Sequence, residues 1–176
     1  MTIVFLSGSR RITRLPDDVA LRLDAMVDGE LEIVLGDANG ADRLMQAYLD
    51  RKGYRRVRVF HSGASYRNNL GAWPSEQVDV EPGVTGRAFY TRKDKRMAEA
   101  ADFGLIVWDG KSEGSLANAR ELAQLGKKSV VYVVPRRAFT VVREPAELAA
   151  LEADAGGSAT DLNKSEKQTH QTSFGF

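Results

Sequence analysis

Apolar residues along the chain gather in short runs, and the stretches between those runs carry apolar positions at helical spacing. Residues 2–6 (TIVFL), 31–35 (LEIVL), 55–60, 103–108 (FGLIVW) and 128–134 read as strands. The run at 103–108 is unbroken and bounded by Asp109 and Gly110, which suits a strand covered on both faces. Between the strands, Val19, Leu23, Met26 and Val27 share one face of a helix opened by Pro16, Asp17 and Asp18. Ala41, Leu44, Met45, Tyr48 and Leu49 define a second helix that ends at Gly53. Ala88, Phe89, Met97, Ala98 and Ala101 define a third, resuming near Arg87. Leu116, Ala119, Leu122 and Ala123 define a fourth, with Ser115 as its expected N-cap and Gly126 as its stop. Leu148 and Leu151 anchor a last helix over 145–154, after Pro135 has ended the fifth strand. Strand–helix alternation of this kind predicts an α/β fold. The expected architecture is a single doubly wound, mainly parallel Rossmann-like sheet with helices on both faces and strand order 3-2-1-4-5.

Two stretches break the alternation. From His61 to Thr85, Gly, Ser, Asn and Pro dominate, with Tyr66 and Trp73 embedded among them; a structureless loop of that length is either functional or a variable insertion. From Gly156 onward there is almost nothing to bury. The expected division is therefore one domain over residues 1–155 and a disordered C-terminal tail over 156–176.

Composition narrows the function classes. A chain of 176 residues that is 43% hydrophobic supports one domain with a real core. A net charge of +1 gives no general attraction to nucleic acid or membranes, although Arg10-Arg11 and Lys93–Arg96 are local basic clusters. The absence of cysteine removes disulfides and thiolate chemistry, and His61 and His170 are too few and too separated for a zinc site. Neither a metal nor a cofactor is expected. No segment approaches the ~20 apolar residues of a membrane span. The first apolar run, Ile3 to Leu6, has no basic region before it, so no secretory leader is expected and the reading is a cytoplasmic protein.

Three loops concentrate the polar chemistry. They are Ser7-Gly8-Ser9-Arg10 after the first strand, Gly36-Asp37-Ala38-Asn39-Gly40-Ala41-Asp42 after the second, and Asp109 to Ser115 after the fourth. In an open doubly wound sheet these loops flank the crevice where strand order reverses. Gly110, Ser112, Gly114 and Ser115 allow backbone N–H groups to approach an anion at the positive end of a helix, and phosphate is the obvious anion. The turn is not a P-loop. GxxxxGK[ST] requires glycine at position 105, where Leu105 stands, and Gly104 lies one residue early inside the strand. Arg10 offers a fork for phosphate or carboxylate, or a surface ion pair. Asp37 and Asp42 can accept ribose hydroxyls, and Asp42 can equally cap the second helix. Asp109 and Glu113 are the carboxylates beside the glycine turn. They are the candidate catalytic groups, able to polarise a water or stabilise an oxocarbenium-like ribose, with solvated loop charges as the alternative. Tyr66 or Trp73 can stack on a base or pack at an edge or in the core.

Taken together these loops resemble the SLOG superfamily, the Rossmann-like group that joins the DNA-processing protein DprA (Smf) with the LOG nucleotide phosphoribohydrolases. Ser7-Gly8-Ser9-Arg10 is similar to its GSR loop, and Gly36 to Asp42 to its GGARGAD or GLARGID loop. Lys93-Asp94-Lys95-Arg96-Met97 resembles the RNxxM helix of the YspA-like branch, and Gly110 to Ser115 stands at the place of its GGxGT-like turn. The resemblance spans roughly residues 2–134. It implies a nucleotide or nucleotide-derived, ADP-ribose-like ligand, held by a sensor or processing module. By position it implicates Gly8, Ser9, Arg10, Gly36, Asp37, Gly40, Asp42, Lys93, Asp94, Gly110, Ser112, Gly114, Ser115 and Asn118. It also brings an alternative, N-glycosidic hydrolysis of nucleoside monophosphates as in the LOG branch. The LOG turn PGGxGTxxE carries a catalytic glutamate where this chain has Asn118, and an amide cannot act as a carboxylate base, so hydrolysis requires Glu113 or Glu121 to substitute. DprA binds single-stranded DNA, but this chain lacks the strongly basic face that such binding demands.

The last six residues, Gln171-Thr172-Ser173-Phe174-Gly175-Phe176, restore aromatic character after a polar linker. They resemble the sliding-clamp-binding hexapeptide at the end of some bacterial translesion polymerases, with Thr172 in place of the usual leucine. That implies docking through Gln171, Phe174 and Phe176 onto a clamp or similar groove, as a DNA-associated accessory protein; an inert terminus or one that folds back is the alternative. A homo-oligomer is left open.

Overall fold

The computed structural model describes residues 1–155. Seven strands, β1 (Ile3–Gly8), β2 (Glu32–Gly36), β3 (Val57–His61), β4 (Ser75–Gln77), β5 (Phe103–Trp108), β6 (Ser129–Val133) and β7 (Ala138–Val142), form one sheet in the order β4-β3-β2-β1-β5-β6-β7. Every neighbouring pair is parallel except β6 with β7. The fold is α/β and Rossmann-like, as the alternation predicts, and the five expected strands stand in the expected order at its centre.

The two additional strands sit at the edges. β4 falls inside the stretch expected to be structureless. Its residues, Ser75-Glu76-Gln77, are polar because an edge strand of three residues has little to bury, so no hydrophobic run marks it. β7 arises because the chain reverses after Val133. A 3₁₀ turn over Val134–Arg136 is closed by Arg137 at φ 50°, which folds the following AFTVV segment back antiparallel onto β6.

Helices α1 (Asp17–Asp28) and α2 (Ala41–Arg51) cover one face of the sheet. The other carries α3 (Gly86–Ala100), α4 (Glu113–Gln124) and α5 (145–155). The pleat sorts the side chains: Val4 and Leu6 of β1 join Leu23, Met45 and Leu49 on one side, while Phe5 between them joins Met97, Ala119 and Leu122 on the other. Trp73 is only 4% exposed, belongs to the first of these clusters and donates its Nε1–H to the Tyr54 carbonyl at 2.8 Å. Of its two expected roles, packing is the one the fold uses. Tyr66 is 47% exposed and meets His61 edge-on.

One helix start differs from expectation. α4 begins at Glu113, so Ser112 rather than Ser115 occupies the N-cap position, and Ser115 is a buried residue of the first turn. Asp109 causes the shift: its Oδ1 accepts the N–H groups of Lys111 (2.9 Å) and Ser112 (2.7 Å), closing the turn three residues early. Trp108 Nε1 adds a bond to the Ser112 carbonyl.

Candidate functional site

A cleft of about 810 Å³ opens beyond the C-terminal ends of β1 and β5, where the chain's outward course through β2 and β3 gives way to β5 and β6 on the other side. Parallel strands with helices on both faces leave a gap between loops at such a reversal.

Its frame is a chain of serine hydroxyls. Ser9 is buried, and its Oγ accepts the Asp109 N–H at 3.1 Å and lies 3.0 Å from Ser115 Oγ, which in turn donates to Ser112 Oγ at 3.2 Å. These contacts bind the loop after β1 to the loop after β5. Asn118, one turn into α4, donates from Nδ2 to Ser7 Oγ at 2.7 Å. The early turn at Asp109 leaves the N–H groups of Glu113, Gly114 and Ser115 at the helix start, where backbone donors have no intrahelical acceptor. A Cβ placed on Gly114 would meet nothing within 4 Å, so this backbone is open.

The loop after β2 is held by a clamp from the 61–85 segment. Arg67 bonds Asp37 three times: backbone N–H (2.9 Å) and Nε (3.1 Å) to Oδ2, and Nη2 (2.8 Å) to Oδ1. Burial pushes the Asp37 carboxyl up, but these bonds and the Arg67 charge outweigh it and hold it below its ordinary range. Asn68 donates to the Asp37 carbonyl and to Asn39, and Gln46 of α2 donates to the carbonyls of Gly36 and Asn68. The segment expected to lack structure is therefore fastened to the site. At the start of α2, Gly40 has φ 78° and a Cβ there would lie 2.3 Å from the Arg10 carbonyl oxygen, so only glycine lets the helix begin beneath the first loop.

Beneath the mouth lies a buried charge cluster. Asp42 accepts the Ala38 N–H at 3.3 Å, and Lys93 of α3 pairs with Asp94 at 2.7 Å. Gly36 makes room for both: a Cβ at this position would stand 2.6 Å from Asp42 Oδ2 and 2.9 Å from Lys93 Nζ. Burial pushes the Asp42 carboxyl up to about 7, with Lys93 opposing and Asp94 and Asp37 reinforcing the rise.

The cleft brings together Gly8, Arg10, Asp42, Lys93, Asp94, Asp109, Ser112, Glu113, Gly114, Ser115 and Asn118 of the expected residues. Ser9, Gly36, Asp37, Gly40 and Gly110 do not line it; Ser9 and Asp37 brace the loops from behind. Glu113 is exposed and ion-paired to Arg87 at 2.7 Å, and Asp109 is engaged in closing its turn. Gln171, Phe174 and Phe176 lie outside the described residues. Sequence reasoning missed Arg67, Arg87 and Tyr90. Two guanidinium groups lie over the Tyr90 ring, Arg67 at 4.4 Å and Arg10 at 5.1 Å from its centroid. Its position three residues before Lys93 on α3 was the available signal, since such residues share a helix face. Arg10, Arg11, Arg67, Arg87, Lys93, Lys95, Lys111 and Arg120 line the cleft against Asp42, Asp94, Asp109, Glu113 and Glu121, so it is cationic in a nearly neutral chain.

Comparison of the chain with protein-family models, with curated proteins and with solved structures finds no match. Among the described residues no group of histidine, cysteine or carboxylate side chains is arranged to hold a metal ion, and no helix is long and apolar enough to cross a membrane.

Proposed function

We propose that this protein binds a phosphorylated, nucleotide-derived ligand in the cleft, its phosphate against the start of α4 and the Arg10 guanidinium. The observation that carries the reading is the coincidence of three features at one place: the reversal of strand order, a cationic cleft, and an open helix start with unpaired backbone donors. The resemblance of the three loops to the SLOG superfamily supports the same ligand class. Calorimetry with adenosine, guanosine, cytidine and uridine 5′-monophosphates and ADP-ribose tests it. At least one is expected to bind, with Arg10→Ala losing ~1.5–3 kcal/mol, the range for a hydrogen bond to a charged group. No binding across the panel, or an unchanged affinity in Arg10→Ala, rejects the assignment.

A hydrolytic version of this reading has one observation in its favour. Asp42 lines the cleft, and a carboxyl near 7 can both give and take a proton at neutral pH. Incubation with the same monophosphates separates the two: release of free base identifies a nucleotide N-glycosidase, and stable binding without release identifies a sensor or carrier.

A further inference from the structure

Asp42 and Lys93 are 6% and 4% exposed, yet each keeps hydrogen-bonding capacity that the protein does not use. An ammonium group carries three donors, and among the described residues Lys93 Nζ has one acceptor, Asp94 Oδ1 at 2.7 Å. Asp42 receives one long bond on Oδ2, and among the described residues nothing donates to Oδ1. Buried charges with unfilled valences are costly, and here space is kept for them by the missing side chain at Gly36. Both line the cleft.

The pair selects for one ligand chemistry. Lys93 can only donate and an ionised Asp42 can only accept, so the group that satisfies both must accept and donate at once. Phosphate does not meet that condition: its negative oxygens would face Asp42 and Asp94, and Asp94 already offsets the Lys93 charge. A hydroxyl meets it. A nucleobase edge also carries donors and acceptors, but a base is held through its plane. Tyr90, the aromatic side chain that lines the cleft among the described residues, already has the Arg10 and Arg67 guanidinium groups over its ring.

We propose that Asp42 and Lys93 form a sugar subsite at the cleft floor, which takes the hydroxyls of a ribose-like ring and gives the protein its preference for sugar phosphates over simple phosphate esters. The proposal rests on the anion site at α4 described above. Calorimetry on the full chain at pH 8 with methyl phosphate and with D-ribose 5-phosphate separates the two claims. Ribose 5-phosphate is expected to bind at least tenfold more tightly than methyl phosphate. In Asp42→Ala that advantage, read as the ratio of the two dissociation constants, should shrink to about twofold, and in the isosteric Asp42→Asn, which keeps the fold if alanine does not, it should fall about fivefold.

Equal binding of the two probes by the wild-type protein would overturn the sugar subsite and leave the anion site standing. Binding of neither would overturn both. An advantage that survives in both variants would remove Asp42 from the subsite and reject the proposal. An advantage seen only with adenosine or guanosine 5′-monophosphate, and absent with ribose 5-phosphate, would assign the floor to a base and reject it equally.

Discussion

At the scale of single residues, Asp42 is the side chain whose chemistry departs furthest from its ordinary behaviour. Its carboxyl titrates near 7 in the fold against an ordinary value of 3.8. Between those values the folded state holds a proton that the unfolded chain releases, so stability falls as pH rises from about 4 to about 7. The contribution is complete below the unfolded pKa and is lost once pH passes the folded one. Asp42→Asn cannot ionise and escapes that loss. At pH 8 the variant should therefore be more stable than the wild type by on the order of 2–4 kcal/mol, at 1.36 kcal/mol per pKa unit, while near pH 4 the two should agree within about 1 kcal/mol. Urea denaturation at the two pH values measures this. Equal stability at pH 8 would mean that Asp42 ionises in the fold without penalty. Asp37 behaves oppositely: burial raises its carboxyl as well, but Arg67 fills its valences and the bonds and charge of that partner outweigh the rise.

At the scale of elements, the proposed anion site is a property of where α4 starts. Asp109 follows β5 and ties the N–H groups of Lys111 and Ser112 to its carboxylate, so the first free donors of the helix emerge at Glu113, Gly114 and Ser115. Gly114→Val puts two methyl groups over those donors without touching the core, since nothing lies within 4 Å of the added Cβ. The variant should lose ligand affinity at least tenfold while its unfolding free energy changes by no more than the ~0.5 kcal/mol of an ordinary surface substitution. Unchanged affinity in titration calorimetry would move the phosphate elsewhere. The helix was legible in the sequence because Leu116, Ala119 and Leu122 keep its spacing; its start was not, because Ser115 and Ser112 are equally good cap residues and only the reach of the Asp109 side chain decides between them. β4 and β7 were illegible for a related reason. Edge strands bury one margin and a few side chains, so Ser75-Glu76-Gln77 carries no alternating signal, and the reversal before β7 depends on a left-handed Arg137 that propensity does not anticipate. The three loops of the cleft could be read, since glycine and aspartate at strand ends follow from the topology. The Arg67–Asp37 clamp joins positions thirty residues apart through a stretch without periodicity, and only the folded chain reveals it.

At the scale of the whole molecule, the cleft is assembled from both halves of the sheet. Arg10 and Asp42 come from the β1 and β2 side, Lys93 and Tyr90 from α3, and Gly114 from the far side of the reversal. A ligand that touches all of these must hold the halves together, and one that binds only the folded state shifts unfolding by RT ln(1 + [L]/Kd), about 2.7 kcal/mol at a hundredfold excess over Kd. The lining charges set how that shift responds to salt. Eight basic side chains oppose five acidic ones across an open mouth, whereas the chain as a whole is +1, so the attraction is local to the cleft and exposed to screening. With the nucleotide that binds most tightly at fixed excess, thermal unfolding should remain a single transition and shift upward as one. The shift should shrink as sodium chloride rises from about 0.05 to 0.5 M, over which the screening length falls from roughly 14 to 4 Å. The Arg67–Asp37 clamp and the Ser9–Ser115 bond, each anchored on a buried partner, Asp37 or Ser9, that does not line the cleft, should keep the unliganded melting temperature far less sensitive to the same salt. A ligand-induced shift that is independent of salt would show that uncharged contacts, and not the cationic rim, account for binding.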